Sequence, residues 1–433
     1  MGIQRVAVIG AGISGLTSAW LLSTKYNVSL YERNDWHGGH AHTVDAPESG
    51  TDLIHAIDTG FVVYNEKNYP NLIALFEYFN IATQPTDMSF AVSLNQGELE
   101  YSGSGFNGLF AQRRNLISPG HWRLLLDIVA FNKDAKAFLE QPPQTSLSLG
   151  EFLTQHQHST KLQQHYLLPM GAAIWSCPVE TMLNFPAYSF LKFCDNHGLL
   201  DLKNRPKWRT VTGGSKNYVN KILAEIQGKV ELHHQADSVK RGTNHITIKC
   251  GNEEQSYDAV VFACHADEAL ALLQQPTASE QEILGCFKYE ENETWLHSDE
   301  RLMPKTKRVW SCWNYLAQWS EQSAPVMSAT YWANRLHRLE CDTDFFISLN
   351  PPLAPASDKV IGKFNYSHPI FDQQAVAAQQ QLLHIQGEKM AWFCGSYAKY
   401  GFHEDGLTSA INTCALLDVA PPWINNERLL DAA

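Results

Sequence analysis

The chain has 433 residues, of which 44% are hydrophobic and 18% charged, and its formal net charge is −12. This length and apolar content suffice for two hydrophobic cores, so we expect one cofactor domain and one substrate domain. The acidic balance argues against nucleic acid as the main partner. The nine cysteines include no CxxC pair, which favours reduced thiols in a cytoplasmic protein. The sequence begins with a strand pattern, leaving no room for a signal peptide, and no apolar run reaches the ~18 residues of a transmembrane helix.

A strand, a glycine-rich turn and a helix are predicted at the start of the chain. Residues 6–9 are apolar, and the apolar positions of residues 13–20 recur at helical spacing. Between them lies the turn Gly10-Ala11-Gly12-Ile13-Ser14-Gly15. In this GxGxxG order the first glycine permits the turn, the second lets a pyrophosphate approach the backbone, and the third lets the helix pack on the strand. The helix N-terminus then faces the phosphates.

A second predicted strand, residues 28–31, ends at Glu32, about twenty residues beyond the glycines. A carboxylate at this position accepts hydrogen bonds from both ribose hydroxyls of a dinucleotide. A glycine turn without a ligand is the alternative, and the strand, helix and acid around the turn disfavour it. The first 32 residues therefore predict a Rossmann-like dinucleotide-binding unit.

The residues after Glu32 indicate which dinucleotide binds. Arg33, the pair Gly38-Gly39 and Thr43 resemble the R-x4-GG-x3-T extension of the flavin-containing amine oxidase and phytoene desaturase superfamily. The resemblance implies FAD rather than NAD. Many members read GGR, whereas this chain has His40 after the glycines, so a fixed guanidinium on the phosphate is replaced by a weaker, titratable donor.

The resemblance also implies cofactor contacts in later segments. A D-x-G-x segment beside the isoalloxazine ring is matched by Asp58-Thr59-Gly60-Phe61, although a buried strand with one turn glycine is the alternative. A valine whose main chain holds the adenine is matched by Val239, and Ala263 ends a strand near the dinucleotide. Gly395 and Asp405-Gly406-Leu407 match the last FAD motif, in which a helix N-terminus faces the flavin O2.

The predicted cofactor-binding residues are Gly10, Gly12, Ile13, Ser14, Gly15, Glu32, Arg33, Gly38, Gly39, His40, Thr59, Gly60, Phe61, Val239, Ala263, Gly395, Asp405, Gly406 and Leu407.

The expected fold class is α/β, with a Rossmann-like FAD-binding domain of the glutathione-reductase/amine-oxidase type and an interleaved α+β substrate domain. Both domains are discontinuous in sequence. The predicted boundaries are 1–62, 206–272 and 386–420 for the FAD-binding domain, 63–205 and 273–385 for the substrate domain, and 421–433 for a C-terminal tail.

The substrate region contains a long apolar and basic segment, residues 105–139, that we expect to be mostly helical. A core helix is the commoner explanation of such a segment. The alternative is a peripheral contact with the inner face of the membrane, through which a lipid is admitted. Five tryptophans, at positions 295, 310, 313, 319 and 332, favour an apolar, elongated substrate, although aromatic side chains on a sheet more often belong to the core.

The order of these motifs resembles, over nearly the whole chain, the bacterial branch usually labelled predicted NAD/FAD-binding protein or flavin-containing amine oxidase. Members of this branch are associated with cyclopropane-fatty-acid-synthase-like methyltransferases, and related enzymes desaturate methyl-branched fatty acyl chains on the way to furan fatty acids. The resemblance implies an FAD-dependent oxidoreductase that transfers hydride from an apolar acyl chain to flavin N5, with a lipid methyltransferase as partner. The alternatives are an amine oxidase and a flavoprotein without turnover that supports a lipid-modifying enzyme.

Desaturation also needs a proton acceptor within reach of the second C–H bond. His403, Tyr397 and Tyr64 are candidates because the motifs place them near the flavin, but the catalytic residue stays unassigned. Phe402 falls where amine oxidases place an aromatic wall beside the substrate amine. Because phenylalanine cannot donate or accept a hydrogen bond, this residue slightly disfavours amine oxidation.

Three histidines, His37, His40 and His42, crowd one loop, but no carboxylate or cysteine spacing completes a site, so we expect no metal. The sequence leaves open whether FAD is attached covalently through His40 or Cys394.

Overall fold

The computed structural model describes residues 2–142, 146–175, 179–201, 206–231, 234–243, 245–319 and 326–424. Parts of the predicted C-terminal tail (425–433) and of the small-residue stretch before Pro178 lie outside the described residues. In chain order the strands are β1 (Arg5–Ile9), β2 (Asn27–Tyr31), β3 (Thr43–Pro47), β4 (Ile54–Asp58), β5 (Tyr64–Asn65), β6 (Thr83–Thr86), β7 (Phe90–Leu94), β8 (Leu99–Ser102), β9 (Trp208–Val211), β10 (Gly228–Glu231), β11 (Ser238–Arg241), β12 (Ile246–Cys250), β13 (Glu253–Tyr257), β14 (Ala259–Phe262), β15 (Lys288–His297), β16 (Trp313–Gln318), β17 (Val326–Trp332), β18 (Phe346–Leu349), β19 (Val360–Ile370) and β20 (Ala391–Phe393). The α-helices are α1 (Ile13–Ser23), α2 (Pro70–Tyr78), α3 (Gly105–Leu109), α4 (Pro119–Leu139), α5 (Leu149–Gln155), α6 (Thr160–Leu162), α7 (Leu168–Trp175), α8 (Val179–Leu183), α9 (Ala187–Asn196), α10 (Lys216–Glu225), α11 (Ala266–Leu272), α12 (Ala278–Leu284), α13 (Ala333–His337), α14 (Gln373–Gln379) and α15 (His403–Ala415).

A five-stranded parallel sheet, in the order β10-β2-β1-β14-β20, forms the base of the cofactor cleft. β1 is central, with Ile9 opposite Tyr31 of β2 and Phe262 of β14. Its even-numbered residues pack against α1, α10 and α15, whereas its odd-numbered residues pack against α11, α12 and the antiparallel sheet β11-β12-β13. Both faces are covered, which explains the uninterrupted apolar runs of these strands. The predicted Rossmann-like α/β class is confirmed.

A seven-stranded mixed sheet, in the order β19-β15-β18-β17-β16-β7-β8, forms the second layer. Its strands come from both sides of β14 in the sequence, because β7 and β8 precede that strand and β15 to β19 follow it. β16 and β7 pair in parallel, and a turn at Asn95-Gln96-Gly97 joins β7 to β8 as a hairpin. Helices α4 to α9 pack against this sheet to form one hydrophobic core.

The predicted helical segment 105–139 consists of α3, a 3-10 turn over Arg113–Ile117 and α4. Upstream of the substrate region, β3 over Thr43–Pro47 pairs with β4. The strands of the five-stranded sheet fall within the segments predicted for the FAD-binding domain, and the domain boundaries themselves stay a prediction. Within the described ranges, no helix combines the length and apolar character needed to cross a bilayer.

A buried ion pair joins the two layers that cover the odd-numbered face of β1. Arg241 at the end of β11 contacts Glu280 in α12 through Nη1–Oε1 at 2.5 Å and Nη2–Oε2 at 2.7 Å. The two side chains are 3% and 0% exposed. We expect Arg241→Gln to lower the free energy of unfolding by about 3–5 kcal/mol, because it leaves a buried carboxylate without its cation. Urea denaturation followed by circular dichroism measures the loss.

The matched control is the pair of Lys216 and Asp45, whose Nζ–Oδ1 distance is 2.6 Å but whose side chains are 39% and 61% exposed. Lys216→Gln is expected to cost less than about 1 kcal/mol, since solvent screens an exposed pair. Equal losses in the two variants would contradict the argument from burial.

Candidate active site

The glycine turn brings the backbone of β1 and α1 to the edge of a large cavity. Gly10 has φ +99°, and a Cβ at Gly15 would lie 1.7 Å from the Gly10 carbonyl oxygen, so neither residue tolerates a side chain. Gly12 lines the cavity, and a Cβ there would meet nothing within 4 Å. The structure therefore divides the roles as the motif predicts: Gly15 serves helix packing, and Gly12 leaves the N-terminus of α1 open to a ligand.

Glu32 lies at the end of β2 and lines the cavity. Its two carboxylate oxygens accept the N–H groups of Ala11 at 2.8 Å and Asn34 at 2.9 Å. These bonds fix the plane of the carboxylate and leave further lone pairs that face the cavity. This arrangement suits a pair of ribose hydroxyls.

The loop at residues 36–40 closes over the glycine turn. Gly39 has φ +57°, and a Cβ there would lie 3.1 Å from the Gly12 Cα, so the two backbones pack directly on one another. Trp36, which the motif did not predict, holds this loop by donating from Nε1 to the Gly39 carbonyl at 3.1 Å and by stacking on His42 at 4.3 Å between ring centroids. Gly38 is tied to the same turn through its N–H, which donates to the Ala11 carbonyl at 2.8 Å.

A cluster of three histidines lies beside this loop. The His40 ring is 5.2 Å from that of His368 and 6.5 Å from that of His265, and all three residues line the cavity. Burial, and then the neighbouring His368 and His265, lower the pKa of His40 well below its ordinary value. Nε2 of His40 is buried and has no hydrogen-bond partner among the described residues. An anion bound here would satisfy that nitrogen and favour the protonated ring.

The N-terminus of α15 meets that of α1 at the cavity. The Gly406 carbonyl oxygen accepts a hydrogen bond from the Ser14 hydroxyl at 2.8 Å. A Cβ at Gly406 would lie 2.9 Å from Oγ of Ser14. Asp405 caps the helix by accepting the N–H groups of Phe402 at 2.9 Å and Tyr400 at 3.2 Å. Burial raises the pKa of Asp405 to about 6. Asp405, Gly406 and Leu407 therefore shape the helix end that faces the cavity, and their contacts with FAD stay a prediction.

Two further residues named with the cofactor motifs have side chains that do not face the cavity. Val239 is 1% exposed in the core and pairs with Ile248. Its predicted contact with the adenine is through the main chain and stays a prediction; Ala236, three residues earlier, lines the cavity. The Asp58 side chain also points away from the cavity. Its carboxylate accepts hydrogen bonds from the Ser215 N–H at 2.8 Å and from the Thr43 hydroxyl at 2.5 Å.

The remaining predicted cofactor residues all line the cavity. They are Gly10, Ile13, Ser14, Arg33, Gly38, Gly39, His40, Thr59, Gly60, Phe61, Ala263 and Gly395, in addition to Gly12 and Glu32. Cys394 is buried 3.7 Å from the Ser18 hydroxyl.

The cavity has a volume of about 1730 Å³. A single small-molecule site occupies ~300–1000 Å³, so this volume has room for a dinucleotide and a second molecule. Away from the glycine turn the wall is apolar, with Trp313 as the cavity-lining member of the tryptophan group discussed above. The apolar residues are Tyr101, Leu109, Leu125, Ile128, Val129, Tyr166, Met170, Ile174, Phe193, Leu199, Trp313, Tyr331 and Phe402.

The acidic side chains of the cavity wall already have partners. Glu268 pairs with Arg33 at 2.7 Å, and Glu66 with Arg209 at 3.6 Å. Asp87 contacts Arg335, Asp237 accepts the Gly251 N–H at 2.6 Å, and Glu32 is held as described. Three of the five carboxylates are therefore paired with arginines, whereas Glu32 and Asp237 accept only backbone N–H groups.

The three residues considered as proton acceptors are poorly suited to that role. His403 is 9% exposed where it borders the cavity and stacks on Phe61 at 3.9 Å between centroids, and its Nε2 is already engaged by the Tyr218 hydroxyl at 2.5 Å. Burial lowers the pKa of His403 to about 3. Burial also raises the pKa of Tyr397 well above 10, so its phenol keeps its proton, and Tyr64 packs in the core against Phe76.

His197 is a candidate that sequence reasoning missed. It follows α9, lines the cavity, and lies 3.9 Å from Phe193 and 5.7 Å from Phe402 between ring centroids. Nδ1 donates to the Phe193 carbonyl at 3.0 Å, so the neutral ring carries its acceptor lone pair on Nε2. Burial lowers the pKa of His197 to about 4, which keeps the ring neutral at physiological pH. No motif surrounds His197 in the sequence.

Among the described residues, Glu48, His55 and Cys341 form a group that could hold a metal ion. The group lies at the β3–β4 hairpin, outside the cavity wall. His55 Nε2 is 3.0 Å from Glu48 Oε2, the other Glu48 oxygen accepts the Asp342 N–H at 2.8 Å, and Cys341 accepts from Asn334 at 3.2 Å. These hydrogen bonds account for the cluster as a structural network.

A family model described as flavin containing amine oxidoreductase matches residues 13–286, which is more than half of the chain. The chain belongs to the flavin-containing amine oxidoreductase family. It is accordingly an FAD-dependent oxidoreductase, as the sequence motifs predict. No curated protein matches the chain.

Solved structures share the fold of this family member at low sequence identity. A fatty acid isomerase from P. acnes that produces CLA has 13% identity and a TM-score of 0.65, with 96% of this chain and 98% of the other covered. A putative protoporphyrinogen oxidase from Exiguobacterium sp. 255-15 has 14% identity and a TM-score of 0.67, with coverage of 96% and 99%. Cyclohexylamine oxidase from Brevibacterium oxydans IH-35A has 14% identity and a TM-score of 0.67, with coverage of 96% and 100%. At such identities the likeness establishes the fold alone.

The residues of this family member fit FAD. The side-chain-free surface at Gly12, the fixed carboxylate of Glu32 and the unpartnered Nε2 of His40 lie along one wall of the cavity. They supply, in that order, backbone N–H groups for a diphosphate, acceptors for a ribose and a donor for an anion.

Gly12 and Gly15 provide a test of the divided roles. We expect Gly12→Ala to fold with wild-type stability but to lose about tenfold or more in FAD affinity, because its methyl group projects into the cavity (a tenfold loss is ~1.4 kcal/mol). Gly15→Ala is expected to lower the free energy of unfolding by about 1–3 kcal/mol or more, because its Cβ collides with the Gly10 carbonyl. FAD titration of the apoprotein by flavin fluorescence and urea denaturation measure the two effects. A destabilised Gly12→Ala protein would refute this division.

Proposed function

We propose that this oxidoreductase desaturates an apolar acyl chain, passing hydride from a C–H bond to bound FAD. The observation that carries the proposal is the apolar extension of the cofactor cavity, whose wall is formed mostly by aliphatic and aromatic side chains and whose acidic groups are compensated. A fatty acid isomerase among the structural neighbours supports the idea that this fold accommodates an acyl chain.

Bound FAD supplies a two-electron acceptor for the hydride. The residues of the chain have three tasks: they hold the acyl chain, exclude water and accept a proton from the adjacent carbon. Leu125, Ile128 and Met170 contribute aliphatic surface for the first two tasks. Phe402 stacks on Phe193 at 4.8 Å with an interplanar angle of 15°, so the two rings form one thick apolar wall.

His197 is the proton acceptor in this proposal. After hydride removal the C–H bond on the neighbouring carbon is strongly acidic, so a weak base suffices. The neutral imidazole presents Nε2 as acceptor, and its bond to the Phe193 carbonyl fixes the tautomer and the ring plane. The proton moves to Nε2 while the C–H electron pair forms the new C=C bond, which balances the reaction.

Amine oxidation is the second candidate function, because the family match and the cyclohexylamine oxidase fold both favour it. Two features of the cavity disfavour it. Phe402, where amine oxidases place an aromatic wall, has no hydroxyl, and one face of its ring is covered by Phe193. Three of the five acidic groups of the wall, Glu66, Asp87 and Glu268, are paired with arginines and so attract an ammonium group less than free carboxylates would.

Anaerobic absorbance titration distinguishes the candidates. Phospholipid vesicles that contain methyl-branched unsaturated chains are added to the FAD-loaded protein, and a parallel sample receives a set of amines. Loss of the oxidised flavin band on adding lipid, together with the desaturated chain in mass spectrometry, supports the proposal. Bleaching by amines alone would establish the second candidate. No bleaching by either would leave a flavoprotein that supports another enzyme and would overturn the proposal.

His197→Gln is expected to lower the rate of flavin reduction by lipid about 10²–10⁴-fold, the usual contribution of a positioned base. The spectrum of bound FAD is expected to stay unchanged, because glutamine keeps the size and polarity of the site. In the wild type, the rate is expected to be flat from neutral pH downwards and to fall only as pH approaches about 4, where His197 becomes protonated. Stopped-flow absorbance measures both effects, and a rate that falls near pH 6.5 would contradict the assignment.

A further inference from the structure

The described surface carries a concentration of large apolar side chains around α3 and α4. We call this group the α3–α4 patch. Its members, with their exposed fractions, are Phe106 (60%), Leu116 (37%), Ile117 (86%), Trp122 (45%), Leu126 (65%) and Val129 (50%).

The α3–α4 patch is continuous. Trp122, Leu126 and Val129 are spaced i, i+4, i+7 and so share one face of α4. Nε1 of Trp122 donates to the Leu116 carbonyl at 2.9 Å, which fixes the 3-10 turn against the helix. The buried Phe110 ring connects the two ends, because it lies 5.0 Å from the Trp122 ring and 4.7 Å from that of Phe106.

The opposite face of α4 already supplies the hydrophobic core. Leu124, Ile128 and Phe131 are buried against the mixed sheet and the neighbouring helices. The helix is therefore apolar on two faces, whereas folding requires only one. A continuous exposed apolar surface of this kind marks an interaction site.

The charges around the α3–α4 patch indicate what covers it. Between positions 103 and 133 the exposed ionisable residues are Arg113, Arg114, Arg123 and Lys133, and the acidic residue in this stretch, Asp127, is neutralised by Arg123 at 3.0 Å. The whole chain carries a net charge of −12, so the patch is locally basic on an acidic protein. Apolar side chains ringed by arginine and lysine complement a bilayer with anionic headgroups.

The cavity opens at the same place. The loop Gly103-Ser104-Gly105 is exposed and also lines the cavity. Val129 is half exposed and also lines the cavity. Leu125, which lies one helical turn earlier in α4, lines the cavity too. A Cβ at Gly103 or Gly105 would meet nothing within 4 Å, so Ser104 carries the one side chain of this loop and open space surrounds the loop backbone. The α3–α4 patch therefore borders a mouth of the apolar chamber.

We propose that the α3–α4 patch rests on an anionic lipid bilayer and that an acyl chain passes from the bilayer into the cavity between the 103–105 loop and α4. The apolar side chains enter the acyl region while the arginines remain at the headgroups. The passage of a substrate chain rests on the proposed function, but the docking does not. A second copy of the chain is the other occupant that the test distinguishes.

The test is co-sedimentation of the FAD-loaded protein with vesicles of saturated phosphatidylcholine, with and without saturated phosphatidylglycerol. We expect binding to the mixed vesicles, weaker binding to phosphatidylcholine alone, and loss of the preference in high salt. Hydrogen–deuterium exchange on the bound protein is expected to show protection confined to residues 103–133.

Two double variants with the same residue types are compared. Ile117→Ser/Leu126→Ser removes two members of the patch that are 86% and 65% exposed, and we expect a ~10-fold or greater fall in the partition coefficient. Leu53→Ser/Ile54→Ser removes a leucine and an isoleucine that are 57% and 66% exposed elsewhere, and is expected to bind like the wild type. Arg123→Gln/Lys133→Gln is expected to lower binding to the mixed vesicles by about fivefold per charge.

Three outcomes would overturn the proposal: no binding to the mixed vesicles, equal losses in the two apolar variants, or a change of oligomeric state on size-exclusion chromatography in Ile117→Ser/Leu126→Ser without a change in vesicle binding. The last outcome would assign the patch to a second copy of the chain. Vesicle binding without flavin bleaching would overturn the proposed reaction and keep the docking site. Flavin bleaching by detergent-dispersed lipid without vesicle binding would overturn the docking site and keep the proposed reaction.

Discussion

The site depends on one steric constraint: two helix N-termini and a loop must reach the same ligand without side chains between them. Gly15 lets α1 pack against Gly10, Gly39 lets the loop lie on Gly12, and Gly406 lets α15 approach Ser14. In each case a Cβ would come within about 3 Å of backbone or side-chain atoms of a neighbouring segment. Backbone N–H groups and helix dipoles then provide the polar half of the site. A diphosphate and an electron-rich ring are the groups that this arrangement stabilises.

Because the backbone satisfies the cofactor, side chains elsewhere in the cavity are free to serve a different partner. Five carboxylates lie in the cavity wall, and arginines or backbone N–H groups compensate each of them. The part of the wall formed by α4, α7 and α9 is mostly aliphatic and aromatic. The cavity therefore combines a polar, pre-organised cleft with an apolar chamber. Binding of an apolar molecule in that chamber is favoured because it removes apolar surface from water. An uncharged chain fits this combination better than an ammonium ion does.

The sequence was most informative where a single short segment forms the whole ligand-binding feature. The turn at residues 10–15, with its strand, helix and Glu32, is such a segment, and its geometry follows the motif. The adenine contact is harder to predict, because a main-chain contact leaves no signature in side-chain identity: Val239 is buried in the core, whereas Ala236, three residues earlier, lines the cavity. His197 was missed because its environment is tertiary: Phe402, its neighbour across the chamber, lies about two hundred residues away in the chain.

The strand order has a consequence for how the protein is made. β1 and β2 leave the ribosome first, but the other neighbour of β1 is β14, about 250 residues later, and β20 follows another 130 residues after that. During most of synthesis one edge of an apolar strand is therefore unpaired and open to wrong pairing with other chains. α15 completes the cleft last, so flavin cannot act as a template for early folding.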